Sequence, residues 1–187
     1  NIVEEAYEVI ADAFTDHKFK VSNQKSTADT RLHRLDLDGV SVNYVKYGVD
    51  VEIDPSFLEN FYLIHMPIHG VSDVWQDGQR LSLNTSAAAV CSPSRRSRFY
   101  WYEDSGVLAV TISKASIYDY IQDAYEISLK SSIQFLPEMS ARGGAFWSWR
   151  NLIQYILAEA DQERSLITQP NSGAELKRLL MSCLINH

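Results

Sequence analysis

Two histidines in this chain could do chemistry together. His65 and His69 lie four residues apart in Phe61–His69, a run whose apolar character on both faces reads as a strand. Even spacing on a strand puts both side chains on one face. A neutral imidazole is a good metal ligand, a good hydrogen-bonding group inside a binding pocket, and an ordinary satisfied core residue. All three readings stay open at this level. Further along, Arg95, Arg96 and Arg98 cluster after Pro93. They could hold a carboxylate or phosphate, or they could be a solvated turn balancing an acidic surface. Phe99-Tyr100-Trp101-Tyr102 is aromatic on both strand faces. One face could stack on a flat ligand while the other packs on a helix. There is no nucleophile motif, phosphate loop or paired carboxylate, so catalysis is not expected, nor is a metal or other cofactor.

The positioning elements follow from pattern. Arg31–Leu37 and Val40–Tyr47 flank Asp38-Gly39, and Val71–Gln76 and Gln79–Leu83 flank Asp77-Gly78. Both dipeptides tolerate positive φ, so both read as hairpin turns. Ala87–Cys91 leads to a Ser92-Pro93-Ser94 turn. Arg98–Tyr102 and Val107–Ser113 flank a third turn at 103–106. After residue 113 the texture becomes helical, over 114–126, 142–163 and 172–186, with a further strand expected at Ser131–Phe135. A short amphipathic helix is expected at 2–14, followed by a polar loop over 22–30. Strands first and helices after indicate a β-barrel or sandwich with an α-helical appendage. On the middle helix, Phe146, Trp149, Ile153, Ile156 and Ala160 form a wide apolar stripe. It serves either the intrachain core or a subunit interface.

The 187 residues are 45% hydrophobic and carry a net charge of −7. A nucleic-acid surface usually carries a basic face, so direct DNA binding by this chain is not expected. Cys91 and Cys183 both lie in apolar runs and read as buried thiols. An acidic N-terminus argues against a secretory segment, and no apolar run is long enough to span a membrane. A cytoplasmic protein is expected. The chain opens at Asn1 and closes inside a helical pattern, so a piece of something longer is expected.

Tyr62–Gly70, then Trp75–Leu83, then Val90-Cys91-Ser92-Pro93, resembles the ligand-binding domain of AraC/XylS-type transcription regulators. There a hydrophobic-Pro-hydrophobic-x-Gly strand leads into an Asp-Gly hairpin, then a Ser-Pro turn. Leu108–Lys114, Ile133–Pro137 and the closing Leu-Leu-Met-Ser-Cys-Leu-Ile also resemble that family. The likeness covers about residues 31–187. It departs at the family's Pro-Gly-Asp corner, which is Thr85-Ser86-Ala87 here. The resemblance implies a mainly β fold with α: a cupin-like barrel of jelly-roll type over 31–113, preceded by an N-terminal helix and arm over 1–30. A helical dimerisation and linker segment over 114–187 follows, without the family's C-terminal helix-turn-helix domain. It also implies a small-molecule effector, held by His69, His65, Tyr44, Ser97, Phe99 and Trp101, and a homodimer formed through residues 145–160. DNA would be reached only through the absent domain. Two alternatives stand beside this. One is a metal-dependent cupin enzyme using His65 and His69, although the cupin metal pattern wants His-x-His and a nearby Glu. The other is a dimerisation module with a filled barrel.

Overall fold

The computed structural model describes residues 18–21, 29–142 and 144–187. The helix expected at 2–14, most of the loop at 22–30 and the Gly143 helix start lie outside the described residues. Eleven strands run in chain order: β1 (Lys18–Val21), β2 (Arg31–Asp36), β3 (Val40–Lys46), β4 (Val51–Phe57), β5 (Phe61–His69), β6 (Ser72–Gln76), β7 (Gln79–Leu83), β8 (Ala87–Cys91), β9 (Arg96–Trp101), β10 (Gly106–Ser113) and β11 (Glu138–Ser140). Three helices follow the barrel strands: α1 (Lys114–Tyr125), α2 (Gly144–Ala160) and α3 (Pro170–Ile185).

The strands form two antiparallel sheets, ordered β1-β4-β9-β6-β7 and β11-β8-β5-β10-β3-β2. From β3 to β10 the chain crosses between sheets so that β3-β10-β5-β8 faces β4-β9-β6-β7, the double Greek-key order of a jelly roll. The chain is a cupin-like barrel followed by helices. The expected Asp-Gly hairpins are present: Asp38, Gly39, Asp77 and Gly78 all have positive φ. At the departed corner, Asn84 does the turning. Its side-chain oxygen accepts from the Ser86 amide and its carbonyl from the Ala87 amide, an Asx-type substitute for a tight glycine turn.

One strand expectation needs correction, and one strand, β4, was not expected. Ser131–Phe135 is not a strand. That segment packs Phe135 on Tyr62 and donates its Phe135 amide to the Ser92 hydroxyl, and ladder pairing starts only after Pro137, where β11 joins β8. Conversely, β4 carries no clean strand signal because Pro55 interrupts it. The register against β9 shifts between Ile53 and Ser56, a bulge that accommodates the missing proline N–H.

Two cores share the second sheet. Between the sheets lie Val45, Val51, Leu63, Val74, Phe99, Trp101, Val107 and their neighbours. On the outer face of β3, β5 and β10, Val42, Ile64, Met66, Leu108 and Val110 meet Phe146, Trp149, Ile153, Ile156, Leu180 and Leu184 from α2 and α3. The helices therefore cover only this sheet. Among the described residues no helix lies on the outer face of the other sheet, the side that carries Tyr100 and Tyr102. They pack edge-on against each other at 5.0 Å.

Candidate functional site

The barrel interior holds a polar cluster within an apolar wall. On β5, His65 is fully buried. It lies in a row across the sheet, from Asn43 on β3 through Ala109 on β10 to His65 and on to Ala89 on β8. The two alanines keep the row low on either side of the imidazole. From the opposing sheet come Ser72 and Gln76 on β6, with Ser97, Phe99 and Trp101 on β9. Gln76 is directly opposite Ser97, Val74 opposite Phe99, and Ser72 opposite Trp101.

His65 Nε2 lies 2.7 Å from Ser72 Oγ, a hydrogen bond joining the two sheets through the interior. The ring stacks on Phe99 at 5.4 Å and meets Trp101 edge-on at 5.1 Å. Burial lowers the His65 pKa to about 3, because the imidazolium would be stripped of water with no charge to compensate it. His65 is therefore neutral, and one ring nitrogen donates while the other accepts. Burial likewise pushes the Cys91 thiol up to about 12, opposed by the Ser97 hydroxyl beside it. Both cysteines are free thiols.

Several interior polar atoms lack a hydrogen-bond partner among the described residues: His65 Nδ1, Trp101 Nε1, both amide atoms of Gln76 and Asn43 Oδ1. Asn43 does satisfy its amide nitrogen, which donates to Ser41 Oγ and to the Ala109 carbonyl. Buried polar groups in folded proteins are nearly always paired, so this concentration within one barrel calls for an explanation.

The expectation that His65 and His69 share a face fails. In register, Pro67 opposes Val107 but His69 opposes Gly106, so β5 carries an extra residue there. A bulge of this kind re-aims the side chain that follows it. His69 is exposed, stands over Gly106, and has its Nε2 3.3 Å from the hydroxyl of Tyr44. Tyr44 lies opposite Leu108, whose side chain belongs to the helix-side core. Of the six expected effector contacts, His65, Ser97, Phe99 and Trp101 come together inside the barrel. His69 and Tyr44 pair with each other outside it. Gln76, Ser72 and Asn43, which the expectation did not include, are buried in the same interior. Period-2 alternation from Val74 would have found Gln76 and Ser72, but polarity on a strand reads first as a solvent face.

A metal held by His65 and His69 does not fit, since their rings lie on opposite faces of β5. Among the described residues no group of three or more His, Cys, Asp or Glu is placed to bind a metal ion. The arginine cluster turns outward. Arg95 pairs with Asp77, Arg96 with Asp54 and Arg98 with Glu52, and Arg98 also covers the Trp75 ring at 4.4 Å. Asp73, also on the outer face, accepts from Arg80, Ser82 and Tyr102. Burial raises its pKa, but these three bonds outweigh burial and hold it below the usual carboxylate range.

The expected interface stripe is consumed inside the chain. Phe146, Trp149, Ile153 and Ile156 are each at most 1% exposed, and the Trp149 indole donates to the Leu180 carbonyl. Only Ala160 keeps partial exposure. In this conformation the four large residues present no surface to a second copy.

The model of the AraC-binding-like domain family matches residues 6–185. The chain belongs to this family. Among solved structures, this AraC-binding-like domain is similar to the AraC-like transcriptional activator CuxR, at 8% identity and a TM-score of 0.70. The match covers 97% of this chain and 65% of that one, so the domain spans just under two thirds of the CuxR chain. Smaller likenesses include the Ylba protein from E. coli, at 12% identity and TM-score 0.45 over 68% of this chain and 53% of that one. A cupin superfamily protein from Desulfitobacterium hafniense matches at 9% identity and TM-score 0.39, over 49% of this chain and 83% of that one. No curated protein sequence matches the chain. Among the described residues no helix is long and apolar enough to cross a membrane.

Proposed function

We propose that this domain is the effector-sensing and dimerising part of an AraC-type transcription regulator. It is non-catalytic, works in the cytoplasm, and acts on DNA through a helix-turn-helix domain outside this chain. In this reading residues 1–30 are an arm, 31–113 the effector barrel and 114–187 the dimerisation and linker segment. The observation that carries it is the set of unpartnered polar atoms around His65 and Trp101 in the barrel interior. The effector contacts are His65, Ser97, Phe99 and Trp101, joined by Gln76 and Asn43.

The geometry supports a route from effector to helices. β5 and β10 form one wall of the interior, and their alternate residues Ile64, Met66, Leu108 and Val110 are the floor on which α2 and α3 rest. A ligand that favours one spacing of the two sheets therefore biases helix position. That differential affinity for two states is what allosteric control requires. For the homodimer, the surface left to α2 is the face bearing Trp147, Asn151, Tyr155 and Ala158, all exposed and at helical spacing.

A thermal-shift screen of small metabolites tests the reading. A compound that binds the folded state raises Tm, and the rise is lost in Trp101→Phe. Stabilisation that persists unchanged in both Trp101→Phe and His65→Gln would place the effector elsewhere.

A further inference from the structure

We infer that the barrel selects a compact, uncharged molecule carrying both hydrogen-bond acceptors and donors, of the amide, carbonyl or hydroxyl class, and rejects carboxylates, phosphates and amines. This rests on the barrel-site reading above and adds the ligand's chemistry.

The interior offers mixed hydrogen-bonding capacity without charge. Trp101 Nε1 is a donor only and asks for an acceptor. Asn43 Oδ1 asks for a donor. Gln76 has its amide nitrogen and oxygen both unpartnered, the complement of another amide or of an adjacent carbonyl and hydroxyl. Among the described residues the one charged side chain in the buried set is Asp73, which is engaged on the outer face by Arg80, Ser82 and Tyr102. Arg95, Arg96 and Arg98 pair with acids on that same side. Among the described residues an anion inside the barrel would lose its hydration and meet no cation, and an ammonium would meet no carboxylate. The aromatic rings do not offer an alternative cage for a cation. His65 is stacked on Phe99, Tyr47 and His65 both crowd Trp101, and the unpartnered edge of Trp101 is a positive N–H. His65 does not supply the missing charge either, since burial keeps it neutral.

Size is bounded by the same geometry. Ala89 and Ala109 flank His65 in its row and Ser72 bonds to it, small residues bounded by Val74, Leu63 and Phe99 of the same interior. A molecule of one ring or a short chain suits this enclosure.

The test uses two matched probe sets on the full chain at pH 7: benzamide, benzoate and benzylamine, and butyramide, butyrate and butylamine. Binding is read by Tm shift and by tryptophan fluorescence. At least one amide is expected to bind roughly tenfold or more tighter than its acid and its amine. That binding is expected to weaken in Trp101→Phe and in Gln76→Met, with far-UV circular dichroism unchanged in both. An acid or amine that binds as tightly as its amide, with the same sensitivity to Trp101→Phe, overturns the uncharged class and leaves the barrel site standing. Binding indifferent to both substitutions, or no binding by any of the six probes, overturns the barrel site and this inference with it.

Discussion

At the residue scale, the buried imidazole has a consequence for pH dependence. The folded-state pKa of His65 lies at about 3, while an unfolded histidine titrates near the ordinary 6.5. The unfolded chain therefore takes up a proton below pH 6.5 that the folded barrel refuses. The stability associated with His65 is full above pH 7 and falls as pH drops from about 6.5 towards 3. Between pH 7 and pH 5 the loss amounts to about 2 kcal/mol. Urea titrations at both pH values should show that His65→Gln has a smaller difference than the parent by about that amount. An equal difference would mean that the imidazole accepts a proton in place. Gln76 allows a second residue-scale test. Both its amide atoms are buried without a partner, which costs on the order of 1–3 kcal/mol. Gln76→Met keeps the length and removes both groups, so the ligand-free protein should be unchanged or more stable by about 1–2 kcal/mol. A clear loss of stability at unchanged m-value would show that the amide is satisfied. Which of these polar residues mattered was only partly legible. The alternation of Ser97, Phe99 and Trp101 is visible in the sequence, whereas Gln76, which shares the period-2 face of Val74, is masked by a strand rich in polar residues that reads first as a solvent face.

At the element scale, the two turns at the end of β5 explain why His69 misled. Gly70 has φ +68°, and a Cβ there would lie 2.8 Å from backbone atoms of Asp104 and Ser105. The Ser105 hydroxyl donates to the Val71 carbonyl, so the β5–β6 and β9–β10 turns are held back to back. The bulge that turns His69 outward lies directly beside this junction, and bulges of one residue leave no mark in a hydrophobic pattern. Gly70→Ala should cost about 2 kcal/mol or more, since strain and a backbone clash coincide. Gly106→Ala should cost much less. The clash there is with the tip of the exposed His69 ring, which can swing away. Thermal unfolding of the pair checks the contrast, and equal losses would mean that the His69 position is rigid. On α2, Ile153 is fully buried against the sheet. Ile153→Ala should therefore lower stability by about 2–5 kcal/mol. Sedimentation at a temperature where the variant stays folded should show its oligomeric state unchanged.

For the whole molecule, the proposed reading gives the helices two roles on two faces. The inner face of α2 and α3 completes the core of the sheet that also walls the barrel. The outer face, with Trp147 46% and Tyr155 42% exposed, is what a second copy can meet. Tyr155→Glu should therefore dissociate a dimer while leaving Tm of the dilute protein nearly unchanged, the reverse of Ile153→Ala. A sedimentation series in concentration separates the two. If Tyr155→Glu remained as associated as the parent, the contact would lie on another surface.

The sequence alone determined the class of the molecule. Asp-Gly turns need positive φ and mark hairpins wherever they occur. Period-2 and period-3.6 patterns separate strands from helices, and segregation of the two along the chain excludes alternating α/β folds. Family resemblance carried this to a cupin-like regulatory domain. Tertiary structure decided the rest, because those quantities depend on what packs against each face. It turned the apolar stripe of α2 inward onto β5 and β10, displaced the expected strand past Pro137, and admitted β4 across a proline bulge. It also separated His65 from His69 by one inserted residue. The two histidines that looked like partners lie on opposite sides of one strand. The one that remains inside is bonded to Ser72 of the facing sheet, a contact between residues seven apart that only closure of the barrel could create.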